Sequence, residues 1–123
     1  MSSFKKKFSV KARKFEASKI ITKFPDRIPI ICERSVNCTS LPPMDKRKFL
    51  VPRVLTVGQF LFVVRKRIKL KSEEALFIMW GDQYTKIVSS TSSIGAVYDD
   101  MRSDEDGFLY CTYLSENTFG TCH

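Results

Sequence analysis

The sequence predicts an α+β fold in which one sheet wraps a central helix, with helical material added at the N-terminus. Three observations carry this reading: a lysine-rich, helix-periodic stretch over the first 24 residues, a capped helix opening at Thr56, and apolar strand-like runs on both sides of that helix. At 123 residues the chain has room for one domain.

In the first stretch Ala17, Ile20, Ile21 and Phe24 recur at helical spacing, and Phe8, Ala12 and Phe15 mark a similar stripe earlier. Lysines and arginines, Arg13 among them, fill the other positions, and the Lys5–Lys7 cluster is a candidate break between two short helices. Pro25 ends the helix, because the residue before a proline is pushed out of the helical region. Ile28–Arg34 is a strand by its β-branched content, and Pro29 predicts that its start is not paired on both sides. Turn formers fill residues 35–45. Lys48–Arg53 alternates as a second strand, and Pro52, which cannot donate to a ladder, places it at an edge of the sheet.

Thr56-Val-Gly-Gln59 fits a capping box, with Leu55 and Phe60 in the positions of a hydrophobic staple. Val57, Phe60, Leu61, Val64 and Ile68 follow at helical spacing, with Arg65, Lys66, Arg67 and Lys69 near the negative helix end. Phe62 and Val63 lie off the stripe, so part of this helix faces away from a core. Ala75–Trp80 is a buried strand and Gly81-Asp82 a turn, with a short strand near Lys86–Val88. Ile94–Met101 is a short helix, Asp104–Gly107 a turn, and Phe108–Leu114 the last strand before a polar tail. That element order matches the ubiquitin-like β-grasp roll with two extra N-terminal helices.

The net charge of +8 is split. Residues 1–71 carry 19 of the 21 basic side chains and four acids, a net of +15, whereas residues 72–123 carry −7. Such a split suggests a face for an anionic partner: acidic peptide, lipid headgroup or nucleic acid. The longest run of large apolar residues is five, Phe60–Val64 or Leu76–Trp80, against about 20 for a membrane-spanning helix. The start has no apolar stretch to serve as a secretory signal, so a cytoplasmic chain is expected. Four cysteines and the single His123 offer no zinc-ligand spacing, and Cys122 beside His123 lacks a third group to orient a nucleophile. No metal site and no enzyme activity are expected.

Phe24–Arg34, Asp45–Pro52, Leu55–Phe60 with Arg65–Ile68, Asp104–Tyr110 and the terminal Phe119-Gly120 together resemble the ubiquitin-like modifiers of autophagy, the family of the GABA-A receptor-associated protein and microtubule-associated protein light chain 3. The likeness runs from about residue 8 to residue 120. It implies three parts: an N-terminal helical extension over 1–24, a ubiquitin-like domain with its C-terminal tail over 25–120, and a propeptide, 121–123. A processing cysteine protease would cut between Gly120 and Thr121. Activating and conjugating enzymes would then join the Gly120 carboxylate to phosphatidylethanolamine on autophagosomal membranes. No other cofactor is implied. A glycine suits this chemistry, since without Cβ it threads narrow clefts and leaves its carbonyl open to attack. Two acyl chains give stable anchoring where one is marginal.

The resemblance also implies capture of receptors carrying aromatic-x-x-aliphatic motifs, by addition of a strand to the Lys48–Pro52 edge. The aromatic side chain would enter a pocket of Glu16, Ile20, Pro29, Ile31, Lys48, Leu50 and Phe108. The aliphatic one would enter a pocket of Phe49, Val51, Pro52, Leu55, Phe60 and Val63. Arg27, Lys46, Lys48 and Arg67 would face the peptide's acids. The chain departs from the family pattern in the loop after Trp80, which lacks the usual asparagine and paired prolines, and at Val63, which stands for a larger aliphatic. Two other readings are a soluble adaptor that is never conjugated and a basic nucleic-acid binder. The second lacks aromatics interleaved with lysine and arginine on a platform strand, so no nucleic-acid partner is expected.

Overall fold

A computed structural model describes residues 2–71 and 74–115, so Gly120 and the proposed cleavage point lie outside the described residues. The elements are α1 (Ser3–Lys7), α2 (Val10–Lys23), β1 (Arg27–Arg34), β2 (Lys48–Pro52), α3 (Val57–Arg67), β3 (Phe77–Trp80), α4 (Ile94–Met101) and β4 (Leu109–Leu114). The strands form one sheet in the order β2-β1-β4-β3, parallel between β1 and β4 and antiparallel elsewhere.

Local chemistry sets most element ends. The Ser9 side chain accepts from the Ala12 amide and opens α2, which separates it from α1 as the lysine cluster suggests. Phe24 closes α2 immediately before Pro25. The Thr56–Gln59 capping box is complete: Thr56 Oγ1 accepts from the Gln59 amide at 3.1 Å, and Gln59 Oε1 accepts from the Thr56 amide at 2.9 Å. β1 pairs with β4 only from Ile30 onward, so Arg27–Pro29 is bonded on one side alone, as Pro29 requires.

Strand alternation then divides the apolar residues between two faces. Ile28, Ile30, Cys32, Phe49, Val51, Leu109, Cys111 and Tyr113 turn toward α3 and α4, where Val57, Phe60, Val64, Ile94 and Val97 complete the main core. On the other face Ile31, Phe108 and Tyr110 form a smaller core with Phe4 of α1 and Ala17 of α2. The sheet is therefore covered on both sides.

Four expectations need correction. Ala12 and Phe15 do not face a core: Phe15 is 70% exposed, because α2 packs through Arg13 and Ala17 instead, and Phe8, in the break before α2, lies against Phe4 of α1. Arg13, assigned to the solvated set, is buried, since Asp106 and Glu105 meet its guanidinium. The helix through Val64 ends at Arg67, and Lys69 takes a left-handed φ of 56°. The segment near Lys86 contributes one isolated bridge, Trp80 to Lys86, in place of a strand.

Candidate peptide-binding site

Among the described residues β2 pairs only with β1, so its other edge is free. The Cys32 amide donates to the Arg47 carbonyl at 2.8 Å and the Arg53 amide to the Asp26 carbonyl at 3.0 Å. In an antiparallel ladder, residues between such pairs turn their backbone groups the other way. Lys48 and Leu50 thus direct theirs to the free edge. Arg27 Nη1 donates to the Leu50 carbonyl at 3.4 Å, a long, exposed contact that an incoming strand can displace.

Side chains alternate about the same strand. Phe49 and Val51 are buried toward α3, whereas Lys48, Leu50 and Pro52 are half-buried on the face toward α2. Opposite Lys48 and Leu50 stand Ile31 and Pro29 on β1, both buried, so these four residues share one face. Phe108, fully buried, belongs to the same side, while Glu16 and Ile20 of α2 are half-buried above it. The seven residues expected to receive an aromatic side chain are therefore brought to one face. Lys48 and Glu16 form an ion pair between β2 and α2.

Phe4 is a participant that sequence reasoning missed. Its ring lies edge-on to Phe108 with centroids 5.3 Å apart, and Lys48 Nζ and the Arg47 guanidinium lie 5.9 and 5.7 Å from its centroid. Helix α1 is held there by polar contacts. Ser2 and Ser3 donate to the two carboxylate oxygens of Glu33, Arg47 donates to Ser3 Oγ at 2.9 Å, and Lys5 pairs with Asp82 at 2.9 Å. An aromatic two residues after an N-capping serine is the available signal.

The second set gathers on the opposite face of β2. Phe49 meets Phe60 edge-on at 5.6 Å, Leu55 is half-buried against that core, and Val63 is exposed at the rim; Pro52, expected in this set, instead shares the α2 face with Lys48 and Leu50, because side chains alternate along β2. Lys46 Nζ lies 5.1 Å above the Phe49 ring, and Arg67 pairs with Asp45 at 3.4 Å. Of the four expected peptide-facing cations, Lys48 and Arg67 already have acidic partners, which a bound acidic segment has to replace. No group of ligating side chains able to hold a metal occurs among the described residues, and no helix there is long and apolar enough to cross a membrane.

A mixed four-stranded sheet with parallel centre strands, a capped helix on one face and two N-terminal helices on the other defines a ubiquitin-like protein with an added helical pair. Residues 12–120 match the family model described as autophagy protein Atg8, ubiquitin-like, and the chain belongs to that family. It is 49% identical over 120 residues to autophagy-related protein 8 of Mycosarcoma maydis, covering 97% of each chain. Autophagy-related protein 8c of Arabidopsis thaliana is 49% identical over 119 residues, covering 97% of this chain and 96% of its own. A crystal structure of ATG8 from Trypanosoma brucei superposes with a TM-score of 0.84 at 37% identity, covering 94% of this chain and 96% of the other.

Proposed function

We propose that this Atg8-family chain is a conjugated modifier. It is trimmed to Gly120, joined through that glycine to phosphatidylethanolamine on autophagosomal membranes, and used there to recruit receptors bearing aromatic-x-x-aliphatic motifs. The observation that carries the recruiting half is the pair of apolar sets on opposite faces of a free edge strand. In an extended peptide, residues i and i+3 point to opposite sides, whereas i and i+2 share a side. A strand added along β2 therefore sends an aromatic at i toward the Ile31–Phe108 set and an aliphatic at i+3 toward the Phe49–Phe60 set. So small an interface binds in roughly the micromolar range. The conjugated half is supported by family membership and by the sequence Phe119-Gly120-Thr121.

Expression of the chain with Gly120 intact or as Gly120→Ala, followed by intact-mass measurement of membrane and soluble fractions during starvation, tests the reading. The intact form is expected to lose Thr121–His123, gain one phospholipid and move to membranes, while the variant stays soluble. A full-length intact form in every fraction would leave the unconjugated adaptor. Calorimetry with an acidic aromatic-x-x-aliphatic peptide tests the other half: Leu50→Ala and Arg67→Ala each weaken binding without unfolding the domain, and unchanged affinity for both sinks the pocket assignment.

A further inference from the structure

The outer face of α2 has no role in either core or along the β2 edge, yet it carries the most exposed aromatic among the described residues, Phe15, at 70% exposure. At about 100° per residue, Phe15 stands some 200° from both Arg13 and Ala17, the residues through which α2 packs. It thus points directly away from the domain. Lys11 and Lys19, one turn below and above, share its face, and Lys14 and Lys23 flank it. The only acid on α2, Glu16, stands about 100° from Phe15, on the flank opposite Lys14, and is held by Lys48 of β2. The face is therefore a single phenyl ring framed by four cations, and the one acid at its edge, Glu16, is paired with Lys48.

We propose that this face docks on an anionic lipid surface, with the Phe15 ring entering the interface and the surrounding lysines engaging headgroups. Charge gives the sign of the partner, and shape selects its kind. Every residue lining the shallow depression around Phe15 comes from α2 itself, so no second element supplies the wall of a peptide groove and no strand edge lies beside it. A convex helix face suits a plane. A long lysine stem keeps its ammonium group in water while a neighbouring ring is buried, so one phenyl can enter the headgroup boundary without removing charges from water. The attraction needs no covalent lipid and is separate from the β2 edge, so it orients the domain on a membrane independently of the tail chemistry proposed above.

The test uses the purified full chain without conjugating enzymes. Vesicles of phosphatidylcholine alone are compared with vesicles containing about 30% phosphatidylserine, and a soluble polyglutamate peptide serves as the rival partner. The chain is expected to sediment with the anionic vesicles only, and raised salt is expected to release it. Phe15→Ser should lower partitioning about fivefold, and Lys11→Glu or Lys19→Glu about tenfold each, while Lys86→Glu, which changes the same charge away from α2, has little effect. Since Phe15 is exposed, these variants keep the parent's thermal midpoint, which circular dichroism checks. Phe15→Trp supplies a reporter whose emission shifts to the blue on anionic vesicles, against the constant background of buried Trp80. Equal binding to neutral vesicles, full retention by Phe15→Ser, absence of the blue shift, or polyglutamate capture without vesicle binding would each overturn the proposal. None of these results bears on Gly120 or on the peptide edge.

Discussion

The ring of Phe4 stands edge-on to that of Phe108, their planes 79° apart, so the first helix of the chain rests on a residue expected to floor the aromatic pocket. Phe4 is nearly fully buried and touches Phe8, Phe108 and the cations of Arg47 and Lys48. Truncating a buried phenylalanine costs about 3–5 kcal/mol where the cavity persists, but α1 has five residues and can detach instead of leaving a void. Phe4→Ala is therefore expected to destabilise by less than that range. Hydrogen exchange should localise the loss to residues 2–8. If the floor is shared, the same substitution tightens binding of an aromatic-x-x-aliphatic peptide a few-fold, and calorimetry showing weaker binding would place Phe4 outside the pocket's working space.

Arg13 and Asp106 form the buried charge pair of the molecule's second face. The Asp106 carboxylate receives Arg13, the Tyr110 hydroxyl at 2.6 Å and the Phe108 amide at 2.9 Å, and the Arg13 Nε donates to the Phe8 carbonyl at 3.1 Å. One network thus joins α2 to the turn before β4 and fixes Phe108. Removing one member of a buried pair strands the other, at about 3–5 kcal/mol, whereas removing both often costs less. Arg13→Met and Asp106→Leu singly should each lower the urea midpoint strongly, and the double variant should recover part of the loss. Strict additivity would show that the two side chains are not coupled.

Much of this architecture was legible in the residues. Pro29 and Pro52 placed β1's start and β2 correctly in the sheet because a missing N–H is a hard constraint wherever it falls. Thr56 and Gln59 located α3 because a capping box is local, needing only its own four residues. Arg13 and Phe4 were illegible for the opposite reason. Arg13 is buried only because Asp106, 93 residues away, meets it, and Phe4 only because β4 brings Phe108 beneath it. The misread stripe follows from the same fact at Phe15, where Arg13 takes the inward position of α2, whereas Phe8 leaves it because it closes α1 and lies outside α2. At the candidate site, the edge strand and its alternation were readable, while the pairing of Lys48 with Glu16 and of Arg67 with Asp45 required the fold.

The Glu16–Lys48 pair is partly exposed on both sides, with side chains 36% and 39% accessible, so its own contribution to stability is small, about 0–1 kcal/mol. Its weight falls on recognition. Glu16→Gln should leave the thermal midpoint nearly unchanged, yet raise the association rate of an acid-flanked peptide, because it removes a negative charge from the groove and releases Lys48. Lys48→Ala should do the reverse, and stopped-flow traces at low and high salt should converge as screening removes both effects. Rates insensitive to either substitution would exclude Lys48 from steering.

Alkali should unfold the domain through its tyrosines. All four, Tyr84, Tyr98, Tyr110 and Tyr113, have phenols shifted above the ordinary value near 10, chiefly because burial disfavours the phenolate. Tyr113 is pushed up to about 12, and Tyr110 further, with its bond to Asp106 adding to the effect of burial. A phenol whose folded pKa exceeds its unfolded one keeps its proton in the native state where the unfolded chain has lost it. Its contribution is thus complete below about pH 10 and is lost as pH rises toward the folded values. Stability should be level across neutral pH with respect to these groups, then fall above about pH 10, with phenolate absorbance appearing in one cooperative step with unfolding. Four independent titrations near pH 10 in a chain that keeps its far-ultraviolet dichroism would show that the hydroxyls are open to solvent, and the packing of Tyr110 beneath α1 would have to be redrawn.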